Sequence, residues 1–222
     1  MELLTRGAQE LKIPLKEHHV EQFRLYYDEL ITWNERFNLT AITDYEGAQV
    51  RHFLDSLSCL KALPWPELQS GARVIDVGTG AGFPGLPLKV VCPAIELTLL
   101  EATRKKGDFL KHLIELLGLC NVTVIHARAE ELGQDPGHRE RYDWALARAV
   151  AEMPTLAEYL LPLVRVGGSA LAQKGEDAPA EVHGAAEAIR ILGGRVKKLV
   201  PVHLHGLAET RYLVLVDKAV AT

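Results

Sequence analysis

Val74-Ile75-Asp76-Val77-Gly78-Thr79-Gly80-Ala81-Gly82-Phe83-Pro84-Gly85-Leu86-Pro87 is the stretch around which this chain is organised. Val74 to Val77 read as a short buried strand, apolar and β-branched with one acid among them. A glycine-rich turn follows at once. Gly78, Gly80 and Gly82 lack a Cβ, so backbone there can approach another group closely and take positive φ without strain. Pro84 and Pro87 fall where the first turn of a helix accepts proline, because those N–H groups have no intrahelical partner. Strand, tight glycine turn and helix N-terminus form the binding corner of a nucleotide-binding α/β sheet.

Gly80 to Gly85 fits the dinucleotide pattern G-x-G-x-x-G literally, but that pattern alone is weak. In that fingerprint the first glycine comes straight off the strand. Here that glycine is Gly78, and counted from it Phe83 fills the third glycine position. The better description is Asp76-x-Gly78-x-Gly80-x-Gly82. An acid two residues before the first glycine suits a ligand with a cationic amino-acid end and no pyrophosphate. The motif resembles that of the S-adenosylmethionine-dependent class I methyltransferases, and marks Asp76, Gly78 and Gly80 as cofactor candidates.

The 222 residues suffice for one α/β domain and a small extra element. Formal net charge is −4, so a nucleic-acid partner would have to be met by a local basic patch. Cys59, Cys92 and Cys120 are odd in number and widely spaced. They fit neither a disulfide framework nor a metal site, which points to a reducing cytoplasm. No apolar run approaches the roughly 20 residues of a membrane span, and Met1 to Lys12 lack a signal-peptide layout. A cytoplasmic monomer with no membrane partner is expected.

Residues 1–70 read as a helical cap on the sheet. His18 to Phe37 carries apolar residues near a 3.6 period, Asn34 and Asn38 break it, and 39–43 form a loop. Asp44 caps a second helix, and a third runs through His52 to Leu57. Residues 71–222 form the core, in which strands and helices alternate as in a mostly parallel sheet. Expected strands are 73–77, 95–100, 121–125, 143–147, 168–173, 196–202 and 211–216; expected helices are 84–92, 104–117, 153–164 and 178–192. Only His203 to Glu209 separate the last two strands, too few for a helical crossover, so these pair antiparallel.

Glu101 ends the second strand, where an acid can accept hydrogen bonds from both ribose hydroxyls; the same acid would serve a nicotinamide cofactor. Arg104, Lys105 and Lys106 open a helix against its dipole, which suggests external phosphates as much as a solvated face. Arg128, Ala129 and Glu130 follow the third strand, where the base edge of the cofactor passes. Arg148 emerges from the apolar fourth strand at the carboxyl edge and is the positioning candidate. The Asn/Asp-Pro-Pro-aromatic run of amino-group methyltransferases is absent after it, and no cysteine sits at a carboxyl strand end to act as nucleophile.

Trp33-Asn34-x-x-x-Asn38-Leu39-Thr40, Arg51-His52-x-x-Asp55-Ser56-Leu57, the Asp76 to Gly85 run, Arg128-Ala129-Glu130, Arg148-Ala149 and Lys174-Gly175 occur in that order. Together they resemble the bacterial small-subunit (16S) ribosomal RNA guanine-N7 methyltransferase family, once called glucose-inhibited division protein B, over essentially the whole chain. The resemblance implies an α/β class I methyltransferase sheet of about seven strands, Rossmann-like, with the helical cap. It implies S-adenosylmethionine held by Gly78, Phe83, Glu101, Ala129, Glu130 and Arg148. It also implies an RNA-facing basic surface with Lys106, Arg128, Arg148 and Arg211, which Arg104, Lys105 and Lys174 join as RNA candidates. Guanine N7 has an in-plane lone pair and no proton to lose, so in-line transfer needs alignment and no general base. A nicotinamide oxidoreductase, a small-molecule methyltransferase and a non-catalytic RNA-binding sensor remain as alternatives.

Overall fold

A computed structural model of the chain describes residues 1–222. Seven strands form one sheet: β1 (Arg73–Val77), β2 (Glu96–Leu100), β3 (Val122–Ile125), β4 (Tyr142–Arg148), β5 (Val164–Lys174), β6 (Gly194–Val202) and β7 (Arg211–Lys218). Their order is β3-β2-β1-β4-β5-β7-β6. Neighbours are parallel except β7, which is antiparallel to both β5 and β6. From β1 the chain steps outward through β2 and β3, then returns to lay β4 on the other side of β1. The strand order reverses there, which opens a crevice at the carboxyl ends of β1 and β4.

Residue parity assigns each strand's side chains to one of two cores. Val74, Leu97, Leu99, Trp144, Leu146, Leu171, Leu213 and Leu215 join the larger core, which the N-terminal cap shares. Ile75, Val77, Ala145, Ala147, Ala170, Ala172, Val214 and Val216 join the second, under the helix Met153–Leu160. Continued by two residues, the first set reaches Arg148, Gln173 and Arg211, so these three point to the cap side of the carboxyl edge. Lys174 has the opposite parity and turns the other way.

The cap helix Glu17–Phe37 buries Phe23, Tyr26 and Leu30 on one stripe and ends on Asn38 in the left-handed region. The next expected pair of helices is one helical run. It begins at Tyr45, with Asp44 accepting from the Gly47 N–H, and continues to Lys61. No proline interrupts it. Its middle, Ala48–Leu54, is wound as a π-helix, with the Asp55 N–H reaching the Val50 carbonyl. Such turns are rare and cluster at functional sites. The helix expected over 153–164 stops at Leu160 because Pro162 cannot continue it. That expected over 178–192 divides after Gly184.

Phe53 is fully buried where cap and sheet meet, with ring centroids 5.0 Å from Phe23, 5.2 Å from Tyr26 and 6.0 Å from Phe83. We infer from this shared core that residues 1–70 and 71–222 fold as one unit. Phe53→Ala should lower stability by about 3–5 kcal/mol in a single urea transition. A two-step curve, with the cap melting first, would make the cap a separate unit.

Candidate functional site

The glycine turn is held from several sides. The Gly78 and Thr79 N–H groups both donate to the Leu100 carbonyl, at 2.9 and 3.1 Å. Tyr26 of the cap donates its hydroxyl to the Ala81 carbonyl at 2.6 Å. Asp76 lies wholly beneath the turn, fully buried. Its Oδ2 accepts from Thr79 Oγ1 at 2.6 Å and from the Gly85 N–H at 2.8 Å, while Oδ1 has no partner. Burial pushes its carboxyl up to about 6 against the pull of those two hydrogen bonds. The sequence reading places Asp76 among residues that touch the cofactor. In the structure Asp76 is enclosed and shapes the turn from below.

Glu101 braces the turn from the next strand. Its Oε2 accepts from the Gly80 N–H at 2.9 Å and its Oε1 from the Thr103 N–H at 2.8 Å. A carboxylate has further lone pairs, so these bonds leave acceptor capacity for hydroxyls. The turn's outer surface is open at Gly80, where a Cβ would meet nothing within 4 Å. At Gly78 a Cβ would come within 2.8 Å of Val150 Cγ2. Gly78 is therefore needed for packing against the segment after β4 as well as for its positive φ.

Phe83 turns its ring inward, 5% exposed. It stacks on Tyr26 at 5.2 Å and on His52 at 4.5 Å, and the Arg148 guanidinium lies 5.0 Å from its centroid. Any contact of Phe83 with a cofactor is left to its backbone. His52 shares a 2.8 Å hydrogen bond with Thr40. Burial, and then the Arg148 charge, lower its pKa to about 4, so it is neutral at working pH.

Two hollows open near the carboxyl ends of the strands. The smaller, about 210 Å³, is mostly apolar and is bounded by Gly78, Leu100, Ala127, Ala129, Val150 and Tyr159, with Arg128 and Glu130 also lining it. The larger, about 450 Å³, lies between the cap and the ends of β4, β5 and β7. Its lining holds Arg51, Arg148, Lys174 and Arg211, matched by Asp55, Asp177, Glu181 and Glu209. It is thus charge-balanced, unlike the free basic surface expected from the sequence.

The pairing is specific. Arg148 Nη1 donates to Asp55 Oδ2 and to the Arg51 carbonyl, both at 3.0 Å. Arg211 Nε stands 3.5 Å from Asp55 Oδ1 and its Nη1 3.5 Å from Glu209. Lys174 Nζ forms an ion pair with Glu181 at 2.6 Å and donates to the Ala151 carbonyl at 2.9 Å. Ala149, directly after Arg148, has φ of 54°, a strained value for a residue with a Cβ. Arg104, Lys105 and Arg128 are exposed and Lys106 half-buried; Lys105 leans over the Phe37 ring at 5.4 Å. Sequence reasoning missed Asp55 and Gln173 as lining residues, though the parity of β5 and the Arg51 to Leu57 motif both pointed toward them.

Cys59 and Cys92 are buried, with their thiols pushed up by burial, Cys92 to about 12. None of the three cysteines lines either hollow. No helix is long and apolar enough to cross a membrane.

A sheet of this order, with a glycine turn braced by acids after β1 and β2, defines a class I methyltransferase. A methyltransferase from Aquifex aeolicus described as SAM-dependent superposes with a TM-score of 0.58 at 19% identity, covering 81% of this chain and 96% of that one. A mutant form of the 16S rRNA (adenine(1408)-N(1))-methyltransferase from Catenulisporales acidiphilia gives 0.54 at 15% identity, covering 70% and 90%. At the level of sequence, the family model for rRNA small subunit methyltransferase G matches residues 19–211, and the chain belongs to that family. Ribosomal RNA small subunit methyltransferase G of Roseiflexus sp. (strain RS-1) is 51% identical over 222 residues, covering all of this chain and 93% of its own. That of Chloroflexus aggregans is 50% identical over 210 residues, covering 95% and 86%. The nicotinamide alternative falls with this membership.

Asp76 supplies a test of the buried turn. Its carboxyl has a value of 3.8 unfolded and about 6 folded. The folded state therefore keeps a proton that the unfolded state releases, and stability from this group falls as pH rises between those values, then holds level. Asp76→Asn keeps an oxygen for Thr79 and Gly85 and removes the ionisation. Its stability relative to the parent chain should rise through that window and stay flat above, read by urea unfolding at about pH 4.5, 6 and 8. A relative stability that does not change with pH would locate the proton elsewhere.

Proposed function

We propose that the protein transfers a methyl group from S-adenosylmethionine to N7 of a guanine in 16S ribosomal RNA, as a cytoplasmic monomer and with no covalent intermediate. The observation that carries this reading is the charge-balanced hollow between the cap and the ends of β4, β5 and β7, reached from the glycine turn through Phe83, His52 and Arg148. It contains paired charges, a neutral buried histidine and no cysteine. That is a site built to align, with no group arranged to take a proton or form a bond.

The cofactor fits the residues present. The apolar slot suits an adenine ring, with Ala129 and Glu130 at its edge. Glu101 has lone pairs left for the ribose, and the Gly78 to Gly80 backbone offers a close approach without a Cβ in the way. S-adenosylmethionine supplies the methyl group on a positively charged sulfur. Arg148, fixed by Asp55 and by the Phe83 ring, stands between turn and hollow and orients the reacting groups. Its guanidinium stays charged, so it cannot shuttle a proton. The carboxylates of the hollow offset the positive charge that the purine gains on methylation. Arg104, Lys105, Lys106 and Arg128 lie beside the ends of β2 and β3 and collect backbone phosphates.

The direct test is single-turnover methylation of small-subunit RNA, with the modified position mapped. The rate should be flat between about pH 7 and 9, because no proton moves. Arg148→Lys should lose roughly ten- to a hundredfold in rate with an unchanged profile, since a point charge replaces a planar fork. A rate that follows one ionisation near neutrality, and loses it on changing His52, would sink the N7 reading.

RNA affinity should fall with salt, and Arg104→Ala or Lys106→Ala should each make the slope shallower by about one counterion. An unchanged slope would return that residue to a solvated face.

A further inference from the structure

Two buried acceptors without hydrogen-bond partners belong to residues that line the large hollow. Gln173 is 4% exposed and Asp55 3%, and both line it. Gln173 Nε2 donates to the Asp55 carbonyl at 2.7 Å. A carbonyl can only accept, so the amide has one orientation and Oε1 is its free end. Neither Gln173 Oε1 nor Asp55 Oδ1 has a hydrogen-bond partner. Buried polar atoms in folded proteins are nearly always satisfied; His52 Nδ1 is a third such atom in this lining, and the two oxygens together ask for a ligand with two donors.

We propose that these oxygens read the Watson–Crick edge of the acceptor guanine, an inference that rests on the guanine-N7 reading above. Guanine presents two adjacent donors on that edge, N1–H and the N2 amino group; adenine presents one donor and one acceptor. With N7 turned to the methyl donor, the N1/N2 edge faces away from the glycine turn, toward β5 and β7. The Asp55 carboxylate is the stronger acceptor and takes the more acidic N1–H, which leaves the N2 amino group to Gln173. As N7 gains the methyl group the purine becomes cationic and both donors strengthen. The two bonds are then worth more in the transition state than in the ground state. Both oxygens are buried. Arg211 is a quarter exposed and held only by contacts of 3.5 Å, so its side chain swings to admit the base.

The test uses the full-length protein and small-subunit RNA carrying guanosine or inosine at the mapped position. Inosine keeps N7 and N1–H and lacks only the N2 amino group. Under single-turnover conditions the parent protein should prefer guanosine by roughly ten- to a hundredfold. Gln173→Met, similar in shape, removes the acceptor and also the donor to the Asp55 carbonyl; whatever loss is common to both RNAs, guanosine should lose its advantage and the ratio should fall near one. Damage to the fold would lower both rates together and keep the ratio. The assignment is overturned if the variant retains the parent's preference, or if the parent protein methylates both RNAs equally. The second result needs no variant, so it decides even if Gln173→Met does not fold. Failure to methylate guanosine RNA at all would instead overturn the guanine-N7 reading, and this inference with it.

Discussion

A fully buried carboxylate closes the turn on which the rest of this site is built. Asp76 Oδ2 ties Thr79 at one end of the glycine segment to Gly85 at the first turn of the following helix. The segment between has no regular hydrogen-bond ladder, and three glycines leave it with large conformational freedom when unfolded. The carboxylate, Glu101 from β2 and Tyr26 from the cap restrict it to one shape. Burying an acid is costly, and its raised pKa measures part of that cost. What results is a turn whose outer face is bare backbone at Gly80.

The cap contributes to both halves of the site through one π-wound helical run. His52 stacks on Phe83 of the turn, and one helical turn later Asp55 binds Arg148 and faces Arg211. The Asp55 carbonyl in turn receives Gln173. One residue thus touches side chains from β4, β5 and β7. The cap therefore sets the width of the hollow and the position of its charges, and Phe53 packs it into the same core as the turn.

Charge balance in that hollow bears on how methyl transfer to a ring nitrogen can be fast. In the proposed guanine-N7 reaction the purine becomes positive, so unpaired guanidinium groups beside it would raise the barrier. Arg148 is paired with Asp55 and Lys174 with Glu181, so in the proposed reaction neither cation would carry that penalty. The cations left exposed, Arg104, Lys105 and Arg128, lie at the ends of other strands and outside that hollow.

The sequence by itself determined the sheet, the glycine corner and the family. These rest on local signals: period-two apolar strands, glycines where φ must be positive, and prolines at helix starts. All seven strands fell where the pattern placed them, with ends shifted by a few residues. Period two also carried, unread, the news that Arg148, Gln173 and Arg211 share a side while Lys174 does not. Only the tertiary structure decided what those side chains meet. Asp55 is 93 residues from Arg148 in the chain and 118 from Gln173. No local pattern encodes that a cation will be paired, that Asp76 will be enclosed, or that Phe83 will turn inward to Tyr26 and His52. Those outcomes depend on which long-range surfaces the core brings together, because burial and charge pairing are properties of the packed neighbourhood and not of the residue.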